Sequence, residues 1–140
     1  MVRLDAAVRS GCAPPGPTMR LLVGVTALVL VGLGLWAMLA PESFFGQVAL
    51  YPPYNRHFLH DLGAFMLGLG ASLALALALG DALLVALGGN AVAGTAHFGS
   101  HLVDRELGAH ASDPWTTGLF ALFLVGLTFW RARQLGGVHD

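Results

Sequence analysis

Four long runs of apolar residues, nearly free of charge, leave this chain few ways to fold. Leu21–Pro41 and Leu62–Gly80 hold no charged residue, Ala82–Val103 holds no Arg, Asp or Glu, and Pro114–Trp130 is again uncharged. Each run approaches the ~20 residues with which a helix crosses ~30 Å of hydrocarbon. With 56% hydrophobic and 11% charged residues, the chain has too few polar groups to coat a soluble core. A β-barrel is excluded, because barrel strands alternate between apolar and polar positions while these runs are continuously apolar. Helices therefore satisfy the backbone. The expectation is an all-α, integral membrane four-helix bundle over residues 19–134, with spans at about 21–40, 58–79, 82–103 and 115–130.

Residues 1–18 are rich in Pro, Gly and Ala without periodicity and read as a disordered tail, and 135–140 as a short one. Met19 and Arg20 before the first apolar run resemble a natural start, which leaves open whether 1–18 belong to the native protein. The first run exceeds a signal-peptide core and reads as a retained helix. Cys12 is the single cysteine, so no disulfide framework exists within the chain. All basic residues are Arg: Arg3, Arg9 and Arg20 precede the first span, Arg131 and Arg133 follow the fourth, and only Arg56 and Arg105 oppose them. The positive-inside rule then places both termini in the cytoplasm of a cell-membrane protein. The absence of Lys and of any dense basic stretch excludes nucleic acid as a partner. The partners expected are the lipid bilayer and a membrane protein or a second copy of the chain.

Trp115 and Trp130 mark the two interfaces of the fourth span. Pro41–Tyr54 is the longest connection, with Phe44, Phe45, Tyr51 and Tyr54 as headgroup anchors, and Asn55 is placed to cap the second span after Pro52 and Pro53. Gly80 and Asp81 join the second and third spans tightly, with Asp81 as a cap. Residues equidistant from that turn share a depth, so His60 is expected opposite His101, Ala64 opposite His97, His57 level with Asp104, and Asp61 level with Ser100. His60, Ala64, Gly68 and Ser72 would then form one side of a small-residue seam, and Gly89, Ala93, His97 and His101 the other. Asn90, near mid-depth, is expected to bond Ser72 or a backbone carbonyl, because an unpaired amide in hydrocarbon is costly.

Two His pairs at i, i+4 beside carboxylates suit a metal. The candidate ligands are His57, Asp61, His97 and His101, with His60 and Asp104 as further donors and Asn55 and Asn90 in support. Zinc, copper and iron all fit the ligand types, and the carboxylates could instead hold an imidazole tautomer. Haem fits poorly between two closely packed helices. The same residues also suit a purely structural network in a noncatalytic membrane subunit or scaffold, and a proton-coupled transporter is a third reading. No nucleotide, phosphate or nucleophile motif is present, and no catalytic residue is assigned. His110 and His139 lack a companion pattern and read as solvated surface.

At Tyr54-Asn55-Arg56-His57 through Asp61-Leu62-Gly63-Ala64, and at His97 to His101, the sequence resembles a group of small four-helix membrane proteins of actinobacteria, themselves loosely like DoxX-type proteins. The group's pattern is P-Y-N-x-H-x-x-x-D-x-G-A at the start of helix two and H-x-x-x-H near the end of helix three. Pro53, Tyr54, Asn55, His57, Asp61, Gly63 and Ala64 match the first part, and His97 and His101 the second. His60 falls where that pattern fixes no residue. The resemblance covers most of residues 19–131 and implies a fold and a site, with no activity attached.

Overall fold

The computed structural model describes residues 14–79, 82–108 and 110–136, and among them it is all helix and turn. The order is α1 (Pro17–Leu39), α2 (Pro41–Gln47), α3 (Arg56–Leu79), α4 (Leu83–Val103), a short 3-10 turn (Arg105–Leu107) and α5 (Asp113–Gly136). Asp81, the expected cap of α4, lies outside the described residues, as do most of the expected tails. Pro17 and Thr18, assigned above to the tail, already belong to α1, because a proline at the first helical position loses no hydrogen bond and has its φ preset. The expected cap of α3 is present: the Phe58 amide donates to Asn55 Oδ1 at 3.1 Å. α2 is a helix where a connection was expected. It starts on Pro41 with Glu42 in its first turn, and it buries Phe44.

Three of the helices, α1, α3 and α5, are long and apolar enough to cross a membrane. α4 is comparable in length, but Asn90, Thr95, His97, Ser100 and His101 dilute its apolar character.

The helices associate as two pairs, α1 along α3 and α4 along α5, while α3 meets α4 only slightly. Bare backbone sets the first pair. A Cβ on Gly34 would stand 2.8 Å from the Gly63 carbonyl oxygen, one on Gly63 would stand 2.7 Å from the Gly34 carbonyl oxygen, and one on Gly70 would meet the Ala27 carbonyl oxygen at 2.9 Å. Close approach of this kind favours association where lipid supplies no hydrophobic drive. In the second pair Gly94 faces Ala121 and Leu124, and Gly118 lies under the Phe98 ring.

The expected α3–α4 seam is corrected by these contacts. Ala64, Gly68 and Gly89 are exposed, and a Cβ at Gly68 or Gly89 would meet nothing within 4 Å. The two helices do share the expected depth at one point, where Asn90 Nδ2 donates to Ser72 Oγ (3.3 Å) and to the Ala86 carbonyl (2.9 Å). Asn90 is buried and so satisfied.

One core joins all four long helices at the end where α1 begins, through Met19, Val23, Leu73, Leu87 and Leu127 among others. At the opposite end a smaller core of Ala37, Phe44 and Leu59 belongs to α1, α2 and α3 alone. The pairs are thus joined by helix packing at one end and need another link at the other.

Gly63→Ala should destabilise the protein by about 1–3 kcal/mol, the range for forcing extra volume into a packed contact. Gly68→Ala, five residues on, should be neutral or slightly stabilising. Thermal or denaturant unfolding in detergent distinguishes the two, and equal effects would contradict the pairing.

Candidate functional site

At the α2 end the link between the helix pairs is made by loops. The segment after α2 carries Tyr51 across to α4, where the phenol and His101 Nδ1 are 2.8 Å apart and the rings meet edge-on at 5.8 Å. Beside them the backbone of Leu50 and Tyr51 lies on Gly108, which follows the 3-10 turn. Gly108 has φ +141°, a conformation that side chains rarely adopt, and a Cβ there would stand 2.6 Å from the Leu50 carbonyl oxygen. Glycine is required here on both counts.

Burial pushes the Tyr51 phenol above its ordinary pKa, with the negative charges of Asp113 and Asp104 adding to the shift. The phenol both donates and accepts, so the direction of its bond to His101 Nδ1 follows the imidazole tautomer. His101 is buried at 8% exposure, whereas His97, one turn earlier, is exposed and touches it ring to ring at 4.7 Å.

The other expected ligands lie elsewhere. His57 Nε2 and Asp61 Oδ2 are 3.6 Å apart on the surface of α3, with side-chain exposures of 87% and 55%. His60 is half-buried in a cleft with Met38, Glu42 and Arg56, and the last two form an ion pair at 3.1 Å. Asp104 ends α4, its backbone amide bonded to the Ser100 carbonyl at 2.8 Å. Asn55 serves as the cap of α3, and Asn90 as the mid-depth bridge. The expectation that His60 faces His101 and Ala64 faces His97 is therefore corrected: α3 turns its Gly63 face to α1, His60 borders a cleft with residues of α1 and α2, Ala64 is exposed, and His101 bonds Tyr51. Among the described residues no three His, Cys, Asp or Glu side chains are grouped to hold a metal ion.

Two features escaped the sequence reading. His110, read as solvated, is half-buried: its amide donates to Asp113 Oδ2 at 2.9 Å, with the ring 3.7 Å from the same carboxylate. The i, i+3 spacing to an Asp just before Pro114 was the available signal. The second is a cavity of about 990 Å³ between the ends of α4 and α5, bordered by His101, Arg105 and His110. His139, the remaining histidine, lies outside the described residues.

Comparison with protein-family models, with curated proteins and with solved structures yields no match.

Tyr51→Phe should lower stability by about 1 kcal/mol, the usual net worth of one intramolecular hydrogen bond. Because the fold holds the Tyr51 pKa up, its contribution is complete below the unfolded value near 10 and declines as pH rises through the folded one. Melting curves of the wild type should therefore fall more steeply than those of Tyr51→Phe above about pH 10. Parallel curves would contradict the coupling.

Proposed function

We propose that this chain is a multi-pass protein of the cell membrane, crossed by α1, α3, α4 and α5 with both termini cytoplasmic, and that it serves as a noncatalytic membrane subunit or scaffold. In this reading the Tyr51–His101 contact and the His–Asp pairs hold the outer face in shape. The buried His101, bonded to Tyr51 at 2.8 Å while His57 and Asp61 stand exposed on α3, carries the proposal. A histidine used to tie the segment after α2 to α4 serves structure first.

Membrane placement of all four long helices is supported by their exposed apolar side chains. Leu28 on α1 (72%), Phe65 on α3 (74%), Val85 on α4 (75%) and Leu122 on α5 (69%) face outward. Single exposed apolar residues are ordinary, but here they occur on every long helix, α4 included, and lipid or a partner would cover them. The short α2 and the aromatic residues around Tyr51 and Trp115 then lie at one interface. The arginine balance puts that interface outside. The motif resemblance to small DoxX-like membrane proteins is compatible with this architecture and adds no activity.

Metal binding is the second reading, and one observation favours it: His97 and His101 are a turn apart with their rings 4.7 Å from each other. Two imidazoles of this kind can share an ion when further donors are supplied.

Untagged protein purified gently from membranes distinguishes the readings. The scaffold reading predicts no stoichiometric metal, a lower melting temperature for His101→Ala with an unchanged visible spectrum, and a crosslinked partner or second copy in native membranes. One bound metal per chain that His101→Ala removes would favour the metal reading instead. Unaltered stability together with no crosslinked product would contradict the scaffold.

A further inference from the structure

The cavity between α4 and α5 lies behind the Tyr51 contact and shares His101 with it, and its walls are divided by chemistry. Toward the loops it is bordered by His101, Arg105 and His110. Toward the middle of the helices it is bordered by Phe98, Leu119 and Leu122. Leu119 and Leu122 are 68% and 69% exposed, so the apolar part is open along the side of the helix pair. Its volume, about 990 Å³, is at the upper end of small-molecule sites, which run to roughly 1,000 Å³.

Arg105 is exposed, and among the described residues it has no ion-pair partner. A guanidinium with its fork of donors open matches a phosphate. The loop is not simply basic, however. Asp104 and Glu106 flank Arg105 in sequence, while the nearby Asp113 carboxylate is already engaged by His110. A head carrying only negative charge would be repelled by those carboxylates, whereas one with a phosphate and an ammonium finds a partner for each.

We propose that this cavity is a lipid site that takes one zwitterionic phospholipid from the surrounding bilayer, its phosphate at Arg105, its ammonium toward the flanking carboxylates, and the upper part of an acyl chain beside Leu119 and Leu122. The assignment rests on the membrane reading given above. Gly118 contributes by letting the Phe98 ring lie directly on α5, since a Cβ there would stand 2.9 Å from that ring. Trp115, at the rim and 76% exposed, provides a reporter.

The full chain with Trp36→Phe and Trp130→Phe, which leaves Trp115 as its single tryptophan, is reconstituted in vesicles of phosphatidylethanolamine and phosphatidylglycerol. Bromine is carried on the chains of one lipid or the other at identical composition. The proposal predicts severalfold stronger quenching of Trp115 by brominated phosphatidylethanolamine, and equal quenching by the two lipids once Arg105→Gln is introduced, with helicity and melting unchanged. Soluble glycerophosphoethanolamine should leave the quenching as it is; relief of quenching would assign the site to a free head and overturn the lipid. Equal quenching in the wild-type background, stronger quenching by phosphatidylglycerol, or a preference that survives Arg105→Gln would each overturn the proposal while leaving the membrane reading intact. No quenching from either lipid would instead remove α5 from the bilayer and the membrane reading with it.

Discussion

The contact of bare backbone on bare backbone at Gly34 and Gly63, repeated where Gly70 meets Ala27, determines how this molecule is arranged. Once α3 is drawn onto α1 along that line, its Leu59, Gly63, Gly70 and Leu73 face is used, and its other side is left to the surroundings. α4 must then find a different companion. Gly94 against Ala121 and Gly118 under Phe98 give it α5. The histidines follow passively, His57 staying on the surface of α3 while His101 turns into the second pair.

Two helix pairs joined only at the end of the shared core would be free to splay at the other. Asn90 and Ser72 hold them at mid-depth, and beyond that point the loops take over, with Tyr51 bonded to His101 and Leu50 resting on Gly108. In a low-dielectric setting a buried polar contact of this sort is costly if half-made, which gives it influence over geometry beyond its modest net energy. The cavity between α4 and α5 lies just behind this junction and shares His101 with it. One part of the cavity wall is therefore the residue that ties the two pairs together.

Much of this was readable from residues alone, for reasons that can be named. Charge-free runs of membrane length declared the long helices, Asn55 after two prolines declared a cap, and Asn90 among apolar neighbours required a partner and found Ser72 as expected. What periodicity could not decide was which side of α3 meets which neighbour. Ala64 and Gly68, four residues apart, form one stripe of small residues, Gly63 and Gly70, seven apart, form another, and either spacing keeps its residues on one helix face. Choosing the first stripe brought His60 to His101; the fold uses the second. α2 was hidden because a seven-residue helix leaves little periodic signal, and the loop contact was hidden because Gly108 and Leu50 are far apart in sequence.

Disulfide formation between paired cysteines, in a Cys12→Ser background, tests the helix pairing most directly. The Gly94→Cys and Ala121→Cys pair spans α4 and α5, where the two Cβ positions would be 3.9 Å apart, close to the mean of about 3.8 Å for a disulfide. The His60→Cys and His101→Cys pair would span α3 and α4. The account predicts that the first pair closes readily under mild oxidation while the second stays reduced. Closure of the second with the first left open would mean that α3 and α4 face each other after all, and the arrangement described here would be wrong.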